Sequence, residues 1–202
     1  MTNRLLLILT IILAYSCSNN QHEIRFKPEV IELDNKAAKL IAKGENDSAL
    51  MYLDKALQID SSYYPAFGLK ATIYIDKNLP DIAIIQLEKE IKFKPDFAEA
   101  WTLAGMLYDR QGDTVKSKQY YEKSISLYDK RIVNPIKTDK KDLTRPNRLN
   151  RALNLILAGQ EQKGRKEALQ LKQEEPNNFD TIIINGLLTK TRQQTLNYYI
   201  KK

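Results

Sequence analysis

Three stretches of this 202-residue chain echo one another at a spacing of 34 residues, and the echo falls on small and aromatic side chains instead of charges. Ala37, Ala71 and Gly105 form one series and Leu40, Tyr74 and Tyr108 the next, followed by Ala49, Ala83 and Ser117, then Leu53, Leu87 and Tyr121. A unit of this length cannot bury its own apolar face, so the period demands stacked neighbours. In the first unit Leu33, Ala37, Leu40 and Ile41 sit three or four apart, as on one helix face, and Gly44 stops that helix. A second helix starting near Asp47 carries Ala49, Leu50, Leu53, Ala56 and Leu57. The second unit repeats the scheme with Phe67, Ala71 and Tyr74, a turn at Asn78-Leu79-Pro80, then Ala83, Leu87 and Ile91, and a stop at Pro95. The third is the fullest copy, from Trp101 through Gly105, Tyr108, Gly112, Ser117 and Tyr121 to Ile125. The chain is therefore predicted to be all-α, with hairpins at 30–63, 64–97 and 98–131. Small residues stand where helices must cross closely, and tyrosines fill the flanking gaps.

The pattern lapses over thirteen residues, 132–144, and returns when the frame is shifted by that length. Ala152, Leu155, Gly159, Gly164, Ala168, Leu171 and Pro176 then trace a fourth hairpin at 145–178, with Arg148 where the third has Trp101. A capping helix over 179–202 is expected to close the stack, with Ile182, Ile183, Gly186 and Leu187 facing it.

Trp101, the Ala104-Gly105 pair, Tyr108, Ser117, Tyr121 and Ser124 carry a resemblance to the tetratricopeptide repeat family, whose units read tryptophan, leucine-glycine, tyrosine, alanine, aromatic, alanine and a closing proline. The resemblance implies a right-handed α-solenoid of antiparallel helix pairs, in which the first helix of each unit lines a groove for a protein partner. The flank so assigned carries Asp34, Ala38 and Ile41, then Gly68, Thr72, Ile75 and Asp76, then Thr102, Met106, Asp109 and Arg110. The lysines and asparagines with which some family members clamp a terminal carboxylate are missing from it. An extended or helical partner segment on Ala38, Ile41, Gly68, Thr72, Ile75, Thr102 and Met106, oriented by Arg110, is the expected interaction. A closing helix, or the 132–144 insertion, folded back into that groove is the alternative.

No reaction chemistry is legible. The single histidine, His22, and the single cysteine, Cys17, cannot build a histidine pair, a metal cluster or an internal disulfide, and no glycine-rich phosphate loop occurs. No catalytic residue, metal or cofactor is expected. Asp109 and Asp113, with Arg110 and Lys116 beside them, read as a solvated helix end. Tyr63-Tyr64 and Tyr120-Tyr121 each place one ring in the buried register, and Tyr198-Tyr199 is a third such pair. Without residues 1–16 the chain holds 31 basic and 25 acidic residues, interspersed as on a solvated helical surface, and no basic-aromatic motif suggests nucleic acid. Basic residues do gather from Asp129 to Arg151, eight against three acids. The 132–144 insertion, with Lys137, Lys140, Lys141 and the adjoining Arg145, is thus a second candidate surface, for an acidic protein or anionic polymer.

Arg4 followed by the apolar run Leu5–Tyr15 reads as an export signal. Eleven residues make about 16 Å of helix at ~1.5 Å each, against a hydrocarbon core of ~30 Å, so the run is too short to span. Leu13-Ala14-Tyr15-Ser16-Cys17 resembles a bacterial lipoprotein signal, with Ala14 where the family prefers leucine. That resemblance implies cleavage after residue 16, diacylglycerol and a further acyl chain such as palmitate on Cys17, and a polar tether over 17–29. The Lys-, Asn- and Ile-rich composition resembles Bacteroidota lipoproteins, and the lack of acids in Ser18-Asn19-Asn20 points to an outer-membrane lipoprotein facing the periplasm of a Gram-negative cell.

Overall fold

The computed structural model describes residues 26–135, 143–176 and 178–200. The signal segment, Cys17, His22, Lys137, Lys140 and Lys141 lie outside the described residues. The helices are α1 (Pro28–Ala42), α2 (Asn46–Ile59), α3 (Tyr64–Asp76), α4 (Pro80–Phe93), α5 (Ala98–Gln111), α6 (Thr114–Val133), α7 (Thr144–Leu157), α8 (Glu161–Glu174), α9 (Thr181–Thr189) and α10 (Arg192–Tyr199). The described residues divide into two compact units, 26–104 and 105–200, with the boundary inside α5.

One turn recurs in all four hairpins. The backbone enters the left-handed region at Gly44, Asn78, Gly112 and Gly159, with φ of 80°, 58°, 86° and 85°. At each, the N–H of that residue donates three residues back, and the next N–H donates five back: Gly44 to Ile41 and Glu45 to Leu40, Asn78 to Ile75 and Leu79 to Tyr74, Gly112 to Asp109 and Asp113 to Tyr108, Gly159 to Ile156 and Gln160 to Leu155. These bonds satisfy carbonyls that the ending helix would leave open. Glycine adopts that backbone without cost, and asparagine is the side chain that tolerates it best. The fourth of these turns joins α7 to α8, which pack against each other.

In the first unit α1 pairs with α2 and α3 with α4. Val30, Ala37, Ala49, Leu53, Ala56, Tyr63, Ala66, Leu69 and Ile73 form one buried cluster. Proline at the start of α1, α3 and α4 presets the helical backbone where no N–H is needed. Phe26 lies edge-on to Tyr63 and Tyr64, with ring centroids 4.6 and 5.6 Å away. The expected tether over 17–29 is thus corrected at its end, where Phe26 is packed and Pro28 already helical. Trp101 Nε1 donates to the Pro95 carbonyl at 3.0 Å, tying α5 to the corner before it.

The second unit begins at Gly105, where a Cβ would meet Tyr121 Cε1 at 2.9 Å, which is why the α5–α6 crossing needs glycine. Gly164 does the same for α7 and α8: a Cβ there would lie 2.5 Å from the Ala152 carbonyl oxygen. Beyond these crossings, arginines hold the unit together. Arg145 makes two bonds to the Asp180 carboxylate, at 2.9 and 3.0 Å, and a third to the Leu171 carbonyl at 2.9 Å. Arg151 grips Glu167 through two nitrogens, at 3.0 and 2.6 Å, and Asp129 at 2.6 Å. Arg148, in the place of the missing tryptophan, pairs with Glu174 at 2.7 Å.

Three differences from expectation follow. α6 runs to Val133 and α7 starts at Thr144, so both ends of the 132–144 insertion are helical. The single cap over 179–202 is two helices, because Thr191 ends one and starts the other: its hydroxyl accepts from Gln194 N while Gln194 reaches back to the Thr191 N–H. Finally, the residues of α9 turned inward are Ile184 and Leu187, whereas Ile182 is 77% exposed.

Candidate functional site

The surface assigned to a partner falls into two parts with different fates. In the first unit Ala38 and Ile41 are half-buried, each packed on one side against the α1–α3 core. Gly68 and Ile75 are half-buried on α3, which contacts α1 directly. Thr72 and Thr102 are buried, and their hydroxyls donate to the carbonyls of Gly68 and Ala98, each at 3.1 Å. A hydroxyl turned back on its own helix adds no polar group to the strip. What α1 and α3 present is therefore small and apolar.

At the edge of this strip burial pushes the Asp34 carboxyl up to about 6, against the opposing effect of a hydrogen bond with Tyr63. The same pair raises the Tyr63 hydroxyl, burial being the larger cause. Asp76 is also raised by burial, although its residue is exposed.

In the second unit the flank of α5 is closed. Met106 is only 3% exposed. Asp109, three residues on along the same helix, accepts hydrogen bonds from Arg192 Nη2 and, at 3.1 Å, from the Tyr121 hydroxyl. Arg192 opens α10, and its Nε donates to the Leu157 carbonyl at 2.7 Å. Thr195, Leu196 and Ile200 of the same segment are buried. The reading of Met106 as an open contact is corrected, because its side chain is core; a later segment also brings Arg192 onto Asp109 at the end of α5, which periodicity within one repeat does not report. Asp109 is not part of a solvated helix end either, since its carboxylate sits in this network, whereas Asp113 caps α6 by accepting from Lys116 N. Arg110 is half-buried and makes interactions of its own.

The basic candidate also changes. Arg145 is committed to Asp180 and Leu171, so it is not a free cation for an acidic ligand. Arg148 and Arg151 are likewise paired inside the fold. Among the described residues no group of three or more histidine, cysteine, aspartate or glutamate side chains is placed to hold a metal ion. No helix among them is long and apolar enough to cross a membrane.

Two residues escaped the sequence reading. Arg192 has no pattern to betray it, because its partners Leu157 and Asp109 lie 35 and 83 residues away. Glu90 did leave a trace: in the 34-residue series its equivalents are Ala56 and Ser124, and an acid among small buried residues is an anomaly.

Residues 98–131 match the family model for the tetratricopeptide repeat. The chain is 28% identical over 140 residues to mouse protein O-mannosyl-transferase TMTC1, an alignment covering 67% of this chain and 14% of that protein. The chain thus spans about one seventh of the length of this curated relative. Among solved structures it resembles Pseudomonas aeruginosa pilF, with a TM-score of 0.57, 16% identity, and coverage of 85% of this chain and 73% of that one. It also resembles YrrB, a tetratricopeptide protein with an unusual peptide-binding site, with a TM-score of 0.51, 18% identity, and coverage of 85% and 84%. These likenesses carry the fold: an all-α array of tetratricopeptide-like helix pairs.

Proposed function

We propose that the chain is a non-enzymatic interaction module whose first unit docks a segment of a partner protein. The half-buried apolar strip of Ala38, Ile41, Gly68 and Ile75, drawn from two adjacent first helices, carries this reading. Such a strip suits a helix or extended segment that brings apolar anchors. The tetratricopeptide match supports it, since arrays of this kind serve as protein-binding surfaces, and YrrB has a peptide-binding site. The partner surface is smaller than the full set of first helices, because Met106 is core and the end of α5 is occupied by α10.

The same proposal places the module in the envelope of a Gram-negative cell as an outer-membrane lipoprotein facing the periplasm, anchored through Cys17. Two or three acyl chains, at ~0.8 kcal/mol per buried CH₂, make such an anchor effectively permanent. A photo-cross-linking residue at Ile75 tests the docking surface in native membranes: a discrete protein adduct is expected there and none from the same residue at exposed Glu88. Equal labelling at both positions refutes the strip. Cys17→Ser tests the anchor, with loss of an alkyne-palmitate label and release from the membrane fraction expected, and unchanged fractionation counting against it.

A further inference from the structure

Thirty-four residues beyond Arg145, Arg148 and Ala152 of α7 stand Phe179, Ile182 and Gly186, so by register α9 is one more first helix. In the hairpins before it the second helix covers these places. Phe67, the counterpart of Ile182 in the second hairpin, is 7% exposed and stacks on Phe93 of α4. A Cβ at Gly105, the counterpart of Gly186 in the third, would meet Tyr121 of α6, and one at Gly164 of α8 would meet the carbonyl of Ala152. No second helix covers α9 among the described residues. Phe179 is 89% and Ile182 77% exposed, and a Cβ at Gly186 would meet only Lys190 Nζ, at 3.9 Å. The helix that follows, α10, packs on α7 and sends Arg192 to Asp109 of α5 instead of doubling back along α9.

The end of a stack is ordinarily polar, because no neighbour covers it, and a bare apolar face rimmed by polar residues marks an interaction surface. We propose that α9 is the open half of a hairpin that a helix of another protein completes, lying antiparallel on Phe179, Ile182 and Gly186 as a second helix lies on a first elsewhere in the array. The chain itself displays the chemistry of that helix. What α1, α3 and α5 receive from their partners is Ala49 and Leu53, Ala83 and Leu87, and Ser117 and Tyr121, a small residue followed four places later by a large one. The small residue lets the backbone close on Gly186, and the large one meets Ile182. In a second copy of the chain the helices with this order are already buried in their own hairpins, so the occupant comes from outside. This seat shares no residue with the strip on α1 and α3, and either surface can fail alone.

The test is a display library of helical peptides panned against the full chain and against its Ile182→Glu, Gly186→Leu and Ile75→Glu variants. Gly186→Leu fills the seat where there is open space, and should melt at the native temperature or higher. One class of peptide is expected to bind the native chain and Ile75→Glu, to carry a small residue and a large apolar one four places apart, and to be lost on both α9 variants. Putting tryptophan at its small position should weaken binding by about tenfold or more. Recovery of no such class, or only of peptides that survive both α9 variants, overturns the seat. A native chain that sediments as a dimer, with Ile182→Glu a monomer, overturns the assignment to another protein in favour of a second copy. Binding of Cys17→Ser to phosphatidylglycerol vesicles that disappears when Phe179→Ser is added overturns it in favour of a lipid surface.

Discussion

The two units are built from the same hairpin and held together by different chemistry. In residues 26–104 the ties are apolar and aromatic: Ala37 and Ala71 at the crossings, Phe26 on Tyr63 and Tyr64, and Phe67 stacked on Phe93 with centroids 5.9 Å apart. Ion pairs there are peripheral, as with Lys70 and Asp54, the latter's side chain being 55% exposed. In residues 105–200 arginines take over. They bridge helices, and two of them also donate to carbonyls at helix C-termini: Arg165 for α9 and Arg192 for α7. The lesson is that a repeat can lose its signature aromatics and keep its architecture, provided charge takes over the ties between helices.

The sharpest way to break this contrast is at the end of α5. Met106→Glu puts a charge into a closed core and should cost about 4 kcal/mol or more in denaturant unfolding. A loss below about 1 kcal/mol would instead return Met106 to the partner surface. Arg145→Met comes next: it strips Asp180, whose side chain is 5% exposed, of its charge partner, at an expected cost of about 3–5 kcal/mol. A negligible cost would show that the arginine ties decorate the second unit without supporting it.

A smaller effect sharpens the first unit's side. The Asp34 carboxyl is raised from 3.8 to about 6 in the fold, so the folded state holds its proton more tightly than the unfolded chain. Stability from this group is full below about pH 4 and declines until about pH 6, by about 1–3 kcal/mol. Asp34→Asn should remove that slope and melt at a higher temperature than the native chain at pH 7, which paired thermal scans at pH 4 and pH 7 would measure. Smallest of all is Lys70→Met, expected within about 1 kcal/mol and insensitive to salt beyond the loss of one exposed pair. Were it as costly as Arg145→Met, the distinction between the units would fail.

What the sequence made legible follows the same divide. Gly44, Asn78, Gly112 and Gly159 stand at the turn within each hairpin, because such a turn is set by residues close together in the chain. The break at Thr191 was also written there, as a threonine followed by glutamine three residues on, a local signal that the polar composition of the tail concealed. Arg145, Arg148 and Arg151 read as a basic cluster because their partners, Asp180, Glu174 and Glu167, lie 16 to 35 residues further along the chain. Spacing rules for helix charges reach four residues and say nothing of such pairs. Asp109 was misplaced for the same reason, since its partner Arg192 lies 83 residues further along the chain.

That return has a consequence in time. Hairpins close over contacts a few tens of residues apart, whereas Arg192 reaches Asp109 across 83 residues of chain. Contacts that must close a longer loop come later in folding, and a short helix held chiefly by its first turn and a few buried side chains is the piece that detaches most readily. The last helix is therefore the last to dock and the first to open, and hydrogen exchange along α10 should outpace that of every other helix in the second unit.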